Sequence, residues 1–427
     1  MSQDRLTSLA ERLNGPGADA LAGLADGEIL AAWDETVAAF LDPASPERRE
    51  IQDGLVRSSR LSPEGLEAGL AAVLGGMRGE PATRLFAEAA ALRPDRWPSG
   101  FALVVLSSNL PALAVQPLLP ALAVRRPVLL KSPSAEPLFA PSFVRALVRR
   151  LPALEPAVAA LTWPGGDVAL EAPLLERAGV VLAYGDEEAV ADLERRTAEA
   201  GGARFVAYGP KTSLAVIGRD AAGTGIGTAG ENREDGGLAR DIVVGLARDV
   251  ALFDQRGCLS IAAVYLEGSE PAARDLADAL AAELARLARK LPPGPADPPA
   301  AAAVQQLRAE ADLRGLHRPR LEEAPGHPLP VGAGTVIVEP DPAFQSTPGL
   351  RSVRVHPVPD LHRLQQILAP WRRRLQGAAL AGASAAALAP SLTDLGISRI
   401  TSPGDLQHPD APWHNGGVSP LTALIGG

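Results

Sequence analysis

The chain has 427 residues, of which 46% are hydrophobic, 21% charged and only 4% aromatic. Lysine and arginine total 41 against 50 acidic residues, a formal charge of −9 that argues against a general nucleic-acid binder, and so few aromatics leave little platform for stacking bases. No uninterrupted apolar run is long enough to cross a bilayer, one cysteine permits no intramolecular disulfide, and six histidines without ligand spacing offer no metal cluster.

A chain of this length exceeds one compact core, so two domains are expected. Met1 to Arg12 mixes Asp4, Arg5, Glu11 and Arg12 among apolar residues, without the order of a secretory signal, so the expected compartment is the cytoplasm. Apolar spacing at Ile29, Trp33, Val37 and Phe40, and a start signal at Ser62, Pro63 and Glu64 before Leu66, Leu70 and Val73, predict helices across residues 1–95. From Phe101 a continuous apolar run of strand length follows, ending in Ser107, Ser108, Asn109, Leu110 and Pro111. A helix is predicted over Leu113 to Leu122, then a strand at Pro127 to Leu130 that runs into Lys131, Ser132, Pro133 and Ser134, then a helix over Phe139 to Arg150.

The alternation continues with strands near Ala159 to Trp163, ending in Pro164, Gly165, Gly166 and Asp167, and at Val180 to Ala183, ending in Tyr184, Gly185 and Asp186. Strand and helix in this rhythm imply parallel strands with right-handed crossovers, an α/β fold. Ligands of open parallel sheets bind beyond the carboxyl ends of strands, so these four strand ends nominate one crevice, suited to a nucleotide.

Past Gly201 come strands at Phe205 to Tyr208 and Ser213 to Gly218. Residues 221–237 are rich in glycine and acidic groups and read as a surface loop; Gly225, Gly227 and Gly230 satisfy G-x-G-x-x-G, but no helix opens behind them to meet a pyrophosphate. A helix over Leu238 to Phe253, with Ile242, Leu246, Val250 and Phe253 on one face, delivers the chain to Cys258, and a strand at Ile261 to Leu266 follows. Residues 291–302, with Pro292, Pro293, Pro295, Pro298 and Pro299, read as an exposed connector. Strands at Gly334 to Val338 and Ser352 to Val358, and short apolar runs at Ile397 to Ile400 and Trp413 to Ile425, complete the chain.

Cys258 stands out at the end of Phe253, Asp254, Gln255, Arg256 and Gly257. Gly257 frees the backbone to turn, and Arg256 beside the sulfur would favour the thiolate, the form that attacks carbon. The competing reading is a small buried apolar residue, the usual fate of an unpaired cysteine. Asn109 reads equally as a turn residue before Pro111, Lys131 as a solvated cap at a strand end, and Gly165, Gly166 and Gly185 as ordinary turn glycines.

In order, Ser108 to Pro111, Trp163 to Asp167, Phe253 to Cys258 and Arg351 to Val358 resemble the aldehyde dehydrogenase superfamily, and more closely its LuxC-like acyl-CoA reductase branch, over roughly residues 60–420. The resemblance implies two Rossmann-like α/β lobes with a cleft between them and a helical N-terminal region. Residues 1–95 would pack on a nucleotide-binding lobe at 96–207, residues 208–389 would form a catalytic lobe carrying Cys258, and 390–427 would return to the first lobe or to a partner subunit.

The resemblance further implies that the Cys258 sulfur attacks a carbonyl carbon and that the Asn109 amide holds the oxyanion with the cysteine's own N–H. It places Lys131 near the adenosine ribose of a nicotinamide cofactor, NADPH with NADH as the alternative, with Ser107, Ser108, Ser132, Ser134, Gly165, Gly166 and Gly185 around the same ligand. Acyl-CoA or an acyl-carrier protein would be the substrate, an acyl-activating or aldehyde-consuming enzyme a partner, and a homo-oligomer the assembly, with neither nucleic acid nor membrane insertion.

Two departures matter. Aldehyde-oxidising members carry a glutamate before a Gly, Gly, Lys segment, whereas this chain reads Val206, Ala207, Tyr208, Gly209, Pro210, Lys211, with no carboxylate to activate water. The Glu-x-Phe-Gly-Pro signature that anchors the cofactor ribose is also missing. The first departure points to thioester reduction; the rivals are aldehyde oxidation with another base, a catalytically silent scaffold, and acyl transfer through Cys258 without redox chemistry.

Overall fold

The computed structural model describes residues 2–93, 99–221, 240–319 and 331–425. The chain divides into two compact units, the first made of Met1–Ser59, Gly69–Pro210 and His408–Gly427, the second of Arg60–Ala68 and Lys211–Gln407.

The first unit is built on a five-stranded sheet of β1 (Phe101–Val105), β2 (Val128–Ser132), β3 (Val158–Thr162), β4 (Ala178–Tyr184) and β5 (Arg204–Tyr208). The spatial order is β3-β2-β1-β4-β5 and every neighbouring pair is parallel. Parallel neighbours need a crossover, and helices Val115–Ala123, Phe139–Arg150, Val168–Leu175 and Glu187–Glu199 supply them. Helix starts are set by side chains: Asp167 accepts from the Leu170 N–H at 3.1 Å and Asp186 from the Ala189 N–H at 2.8 Å.

One face of the sheet, with Leu103, Leu129 and Val181, packs on Trp163, Leu174, Leu193 and the apolar stripe Leu6, Ala10 and Leu13 of the N-terminal helix Gln3–Arg12 and the turn after it. The crossover helix Phe139–Arg150 presents Phe139 and Phe143 to Trp33 and Phe40 of helix Asp26–Leu41, with ring centroids 5.2–5.3 Å apart. Sequence order reverses between β1 and β4, the switch point beyond whose carboxyl ends open parallel sheets bind their ligands.

The second unit holds a six-stranded parallel sheet of β6 (Thr212–Ile217), β7 (Ile261–Glu267), β8 (Thr335–Val338), β9 (Ser352–Val358), β10 (Leu375–Ala381) and β11 (Arg399–Thr401), in the order β11-β10-β6-β7-β9-β8. Residues 390–407 belong to this unit because β11 pairs with β10, Gly377 opposite Arg399. The predicted connector at 291–302 needs correction: Pro298 and Pro299 open helix Pro298–Leu313, with Asp297 accepting from the Ala300 N–H at 2.8 Å. Proline at the first turn of a helix loses a hydrogen bond that would be unmade anyway, so these two start the helix rather than break it. The expected loop at 221–237, with Gly225, Gly227 and Gly230, lies outside the described residues apart from Ala221.

Candidate active site

In the second unit, helix Arg240–Ala251 buries Val243, Leu246, Ala247 and Val250 and then stops against a turn that carries the thiol. Phe253, Asp254 and Gln255 take φ values of +57°, +50° and +64°, three consecutive non-glycine residues in the left-handed region. Each such residue costs about 1–2 kcal/mol, so the turn exists only because its side chains are held.

Phe253 is buried. Asp254 Oδ1 accepts from Arg351 Nε at 3.0 Å and Nη2 at 2.7 Å, while its Oδ2 accepts from the Gly294 N–H at 2.9 Å. Gln255 donates through Nε2 to the carbonyls of Ile261 (2.6 Å) and Ser352 (2.8 Å), and its Oε1 accepts from the Ser352 N–H at 2.8 Å. The segment that answers it, Gly349 to Arg351, is left-handed as well, with Leu350 at +50° and Arg351 at +59°. Two strained turns therefore lock each other, and the Asp254–Arg351 pair at their junction is 3% and 1% exposed. A buried pair of this kind adds little net stability, but removing one partner strands a charge, at about 3–5 kcal/mol.

This clamp presents Cys258, half-buried, at the amino end of β7. Its carbonyl accepts from Ser213 Oγ at 2.8 Å, and the N–H groups of Cys258 and Leu259 favour an anionic sulfur. Burial works against them and pushes the thiol up to about 11. The cation that pulls it back down is Lys211. Here the sequence reading is corrected: Arg256, adjacent in the chain, turns its guanidinium to the Arg60 carbonyl at 3.0 Å and interacts with Asp254, Arg60 and Asp297 instead. Lys211 is half-buried just before β6, with Nζ donating to the Arg373 carbonyl at 3.2 Å; burial lowers its pKa and the Cys258 charge raises it. The sequence reading gave no role to Lys211, Ser213, Gln255 or Arg351, although Lys211 closes the very segment that lacks a carboxylate and Gln255 and Arg351 fall within its motifs.

In the first unit the remaining candidates collect at the carboxyl edge of the sheet. Ser107, Ser108 and Asn109 follow β1, Lys131 and Ser132 end β2 with Ser134 beyond, Gly165 and Gly166 follow β3, and Gly185 follows β4. Ser107 Oγ donates to Asn109 Oδ1 at 2.6 Å, which fixes the amide with its oxygen toward Ser107. Ser108, Asn109, Ser134, Gly165 and Gly166 are exposed. Lys131 is only 5% exposed, with Nζ 5.6 Å from the centre of the Trp163 ring; burial lowers its pKa and Glu171 raises it. Glu171 in turn accepts from Trp163 Nε1 (2.9 Å) and Arg196 Nη1 (2.5 Å).

Two features fit a dinucleotide at this edge. Among the described residues, a Cβ added at Gly165 or Gly166 meets nothing within 4 Å, so backbone lies open to an approaching ligand, and the fully buried Ser132 Oγ finds no partner.

The family profile described as acyl-CoA reductase (LuxC) matches residues 66–426. The chain belongs to this family. Among relatives, a long-chain acyl-protein thioester reductase of Aliivibrio fischeri is 25% identical over 270 residues, covering 62% of this chain and 50% of the relative. A second such reductase, from Photobacterium leiognathi, is 23% identical over 175 residues, 40% of this chain and 33% of the relative. The chain thus spans half or less of the curated relatives it matches.

Solved structures agree on the fold. An aldehyde dehydrogenase of Physcomitrella patens, in complex with its product succinate, superposes with a TM-score of 0.71 at 14% identity, covering 100% of this chain and 89% of that one. An indole-3-acetaldehyde dehydrogenase of P. syringae, in complex with NAD+, gives 0.70 at 15% identity over 98% and 84%. The LuxC-like family expected from four short motifs is where the chain belongs, and its fold is that of the aldehyde dehydrogenases. No helix among the described residues is long and apolar enough to cross a membrane.

Proposed function

We propose that this LuxC-family chain reduces an acyl thioester to an aldehyde, with Cys258 as the nucleophile. The observation that carries the reading is the pair of interlocked left-handed turns that holds a half-buried cysteine, with two N–H groups at its sulfur, at the amino end of β7. Strain of this kind is kept where a side chain must be aimed.

In this reading the Cys258 thiolate attacks the thioester carbon and the carbonyl electrons move onto oxygen. Backbone N–H groups at Cys258 meet that charge, and the Asn109 amide, oriented by Ser107, is assigned the same task. Collapse expels the carrier thiolate and leaves acyl-Cys258. With no carboxylate between Val206 and Lys211, water is not activated and the acyl group stays on sulfur. A nicotinamide cofactor, when bound, supplies the hydride that takes this acyl group to the aldehyde level.

Lys131, Ser132, Gly165 and Gly166 at the carboxyl edge of the first sheet would hold the cofactor, with Ser107, Ser108, Ser134 and Gly185 beside them. Lys131 favours the phosphate-bearing form, NADPH over NADH. The relatives' names support a protein-bound acyl group as substrate, with acyl-CoA as the alternative carrier.

The test is direct. The full chain is mixed with NADPH and decanoyl thioesters of CoA and of an acyl-carrier protein, and the nicotinamide absorbance is followed. Oxidation that depends on both substrates, with aldehyde recovered, is expected; acid formed from aldehyde without any thiol would replace this reading with the oxidative one.

A further inference from the structure

The amino edge of the second sheet carries a run of positive charge that no step of the proposed reduction uses. Arg372, Arg373 and Arg374 follow one another just before β10, and all three are exposed. Among the described residues, the side chains of Arg372 and Arg373 have neither an ion pair nor a hydrogen bond. Elsewhere in this unit arginines are paired, Arg274 with Glu270, Arg286 with Glu283, Arg314 with Glu339 and Arg318 with Asp312. An exposed arginine is commonly just a solvated one. What sets these two apart is where the backbone holds them.

The turn is pinned from both sides. Trp371 packs on Phe344 with ring centroids 4.6 Å apart, the Arg372 N–H donates to the Ala369 carbonyl at 3.2 Å, and the Arg374 N–H donates to the Trp371 carbonyl at 2.7 Å. Its own carbonyls reach across to β6: that of Arg374 accepts from the Thr212 N–H at 2.8 Å and that of Arg373 from Lys211 Nζ at 3.2 Å. The next residue along β6, Ser213, gives its hydroxyl to the Cys258 carbonyl at 2.8 Å. Gly377 lets β10 close on this junction, since a Cβ there would stand 2.9 Å from Ser213 Oγ and 3.1 Å from Leu259 Cδ2. Because β10, β6 and β7 are successive neighbours in the sheet, the backbone of the run and the backbone of the thiol are two strand spacings, about 10 Å, apart.

We propose that Arg372 and Arg373 bind the phosphate that ends the pantetheine arm of the acyl carrier while its thioester is presented to Cys258. The inference rests on the reductase reading above and deepens it. In coenzyme A and in acyl-carrier proteins alike, sulfur and the nearest phosphorus are joined by about thirteen bonds, roughly 15 Å when extended at the advance of a polypeptide backbone. An arginine side chain reaches several ångströms beyond its own backbone, so the arm spans from the thiol to the run. Between sulfur and phosphate the arm is uncharged, and the phosphate is the first group that a cation there can recognise. Two planar guanidiniums on one turn offer it paired N–H donors with no carboxylate to displace, and the pinned backbone spares the cost of ordering the turn on binding.

The full chain is assayed with NADPH and the decanoyl thioesters of pantetheine, of 4′-phosphopantetheine, of CoA and of an acyl-carrier protein. In wild type the phosphate should lower KM about tenfold between the first two. Arg372→Gln/Arg373→Gln is expected to raise KM about tenfold for the three phosphorylated substrates, with kcat within about twofold and with the pantetheine ester and the KM for NADPH unchanged. Arg372→Lys/Arg373→Lys, which keeps the charge, should stay within about threefold of wild type. Equal loss on the pantetheine and phosphopantetheine esters, or none on the latter, overturns the proposal. So does loss confined to CoA or to the acyl-carrier protein, which would assign the run to the nucleotide or to an acidic protein surface, and so does a raised KM for NADPH, which would assign it to the cofactor. Calorimetry with CoA itself separates this site from the reductase reading. A wild-type chain that turns over none of the esters, yet binds CoA about tenfold more tightly than the double glutamine variant does, loses the reductase reading and keeps the phosphate site.

Discussion

The two sheets are both parallel and both open, yet their candidate residues occupy opposite edges. In the first, Asn109, Lys131, Gly165 and Gly185 lie at or past the carboxyl ends of β1 to β4. In the second, Lys211, Cys258 and Arg351 lie before the amino ends of β6, β7 and β9. The carboxyl edge is the natural ligand site of such sheets, where loops lead into helix N-termini and glycines let a ligand reach the backbone. The amino edge has no such ready-made arrangement and is built by force. Among the described residues, five of the eight non-glycine positions with positive φ, namely Phe253, Asp254, Gln255, Leu350 and Arg351, belong to the two turns around the thiol. One edge is open and receptive, the other clamped and precise in its aim.

Removing the thiol should break this contrast most severely. Cys258→Ala is expected to lower thioester-dependent NADPH oxidation by on the order of 10³-fold or more, with the thermal shift produced by NADPH retained, since the residues proposed to hold the cofactor sit on the other sheet. Full activity in this variant would end the assignment of nucleophile.

Next comes the clamp. Arg351→Met leaves Asp254 buried without its partner, and denaturant unfolding should show a loss of about 3–5 kcal/mol. A change below about 1 kcal/mol would mean that the two turns do not need each other.

The helix that delivers the chain to that turn carries a titrating carboxyl. Asp249, buried and accepting from the N–H groups of Gly404 (2.7 Å) and Leu406 (3.2 Å), is raised by burial to about 7. Its folded value lies above the unfolded one, so its contribution to stability is complete below about pH 4 and is lost as pH rises toward 7. Relative to wild type, Asp249→Asn should gain stability progressively from pH 4 to pH 7, by at most roughly 4 kcal/mol at about 1.4 kcal/mol per pH unit, measured by denaturant midpoints across that range. A flat difference between the two chains would remove this account.

The smallest effect belongs to the receptive edge. Lys131→Met should raise KM for NADPH about tenfold while kcat stays within about threefold and KM for NADH changes little. Equal weakening of both cofactors would sharpen the comparison differently, assigning Lys131 to the shared ribose rather than to a 2′-phosphate.

Much of the first unit was legible along the chain because each strand is a continuous apolar run closed by serine, glycine or proline, and each crossover helix follows at once. Helix Phe139–Arg150 falls where its apolar spacing put it. Pro298 and Pro299 misled, since proline marks both the end of one regular segment and the start of another, and only Asp297 in front of them distinguishes the two. Arg256 misled for a different reason: neighbours in sequence share a turn, but a left-handed turn sends their side chains apart.

From sequence alone came the α/β alternation, the solitary cysteine between a helix and a strand, the missing carboxylate before Lys211 and the family that these imply. All of them are local or compositional facts. The clamp and the lysine needed coordinates, because the partners of Asp254 and Gln255 lie 97 residues away at Arg351 and Ser352, and Ser213 reaches Cys258 across 45. Neither separation leaves a periodic trace, and nothing in the composition of Phe253, Asp254 and Gln255 announces that all three are left-handed: that conformation is imposed by hydrogen bonds from the rest of the fold.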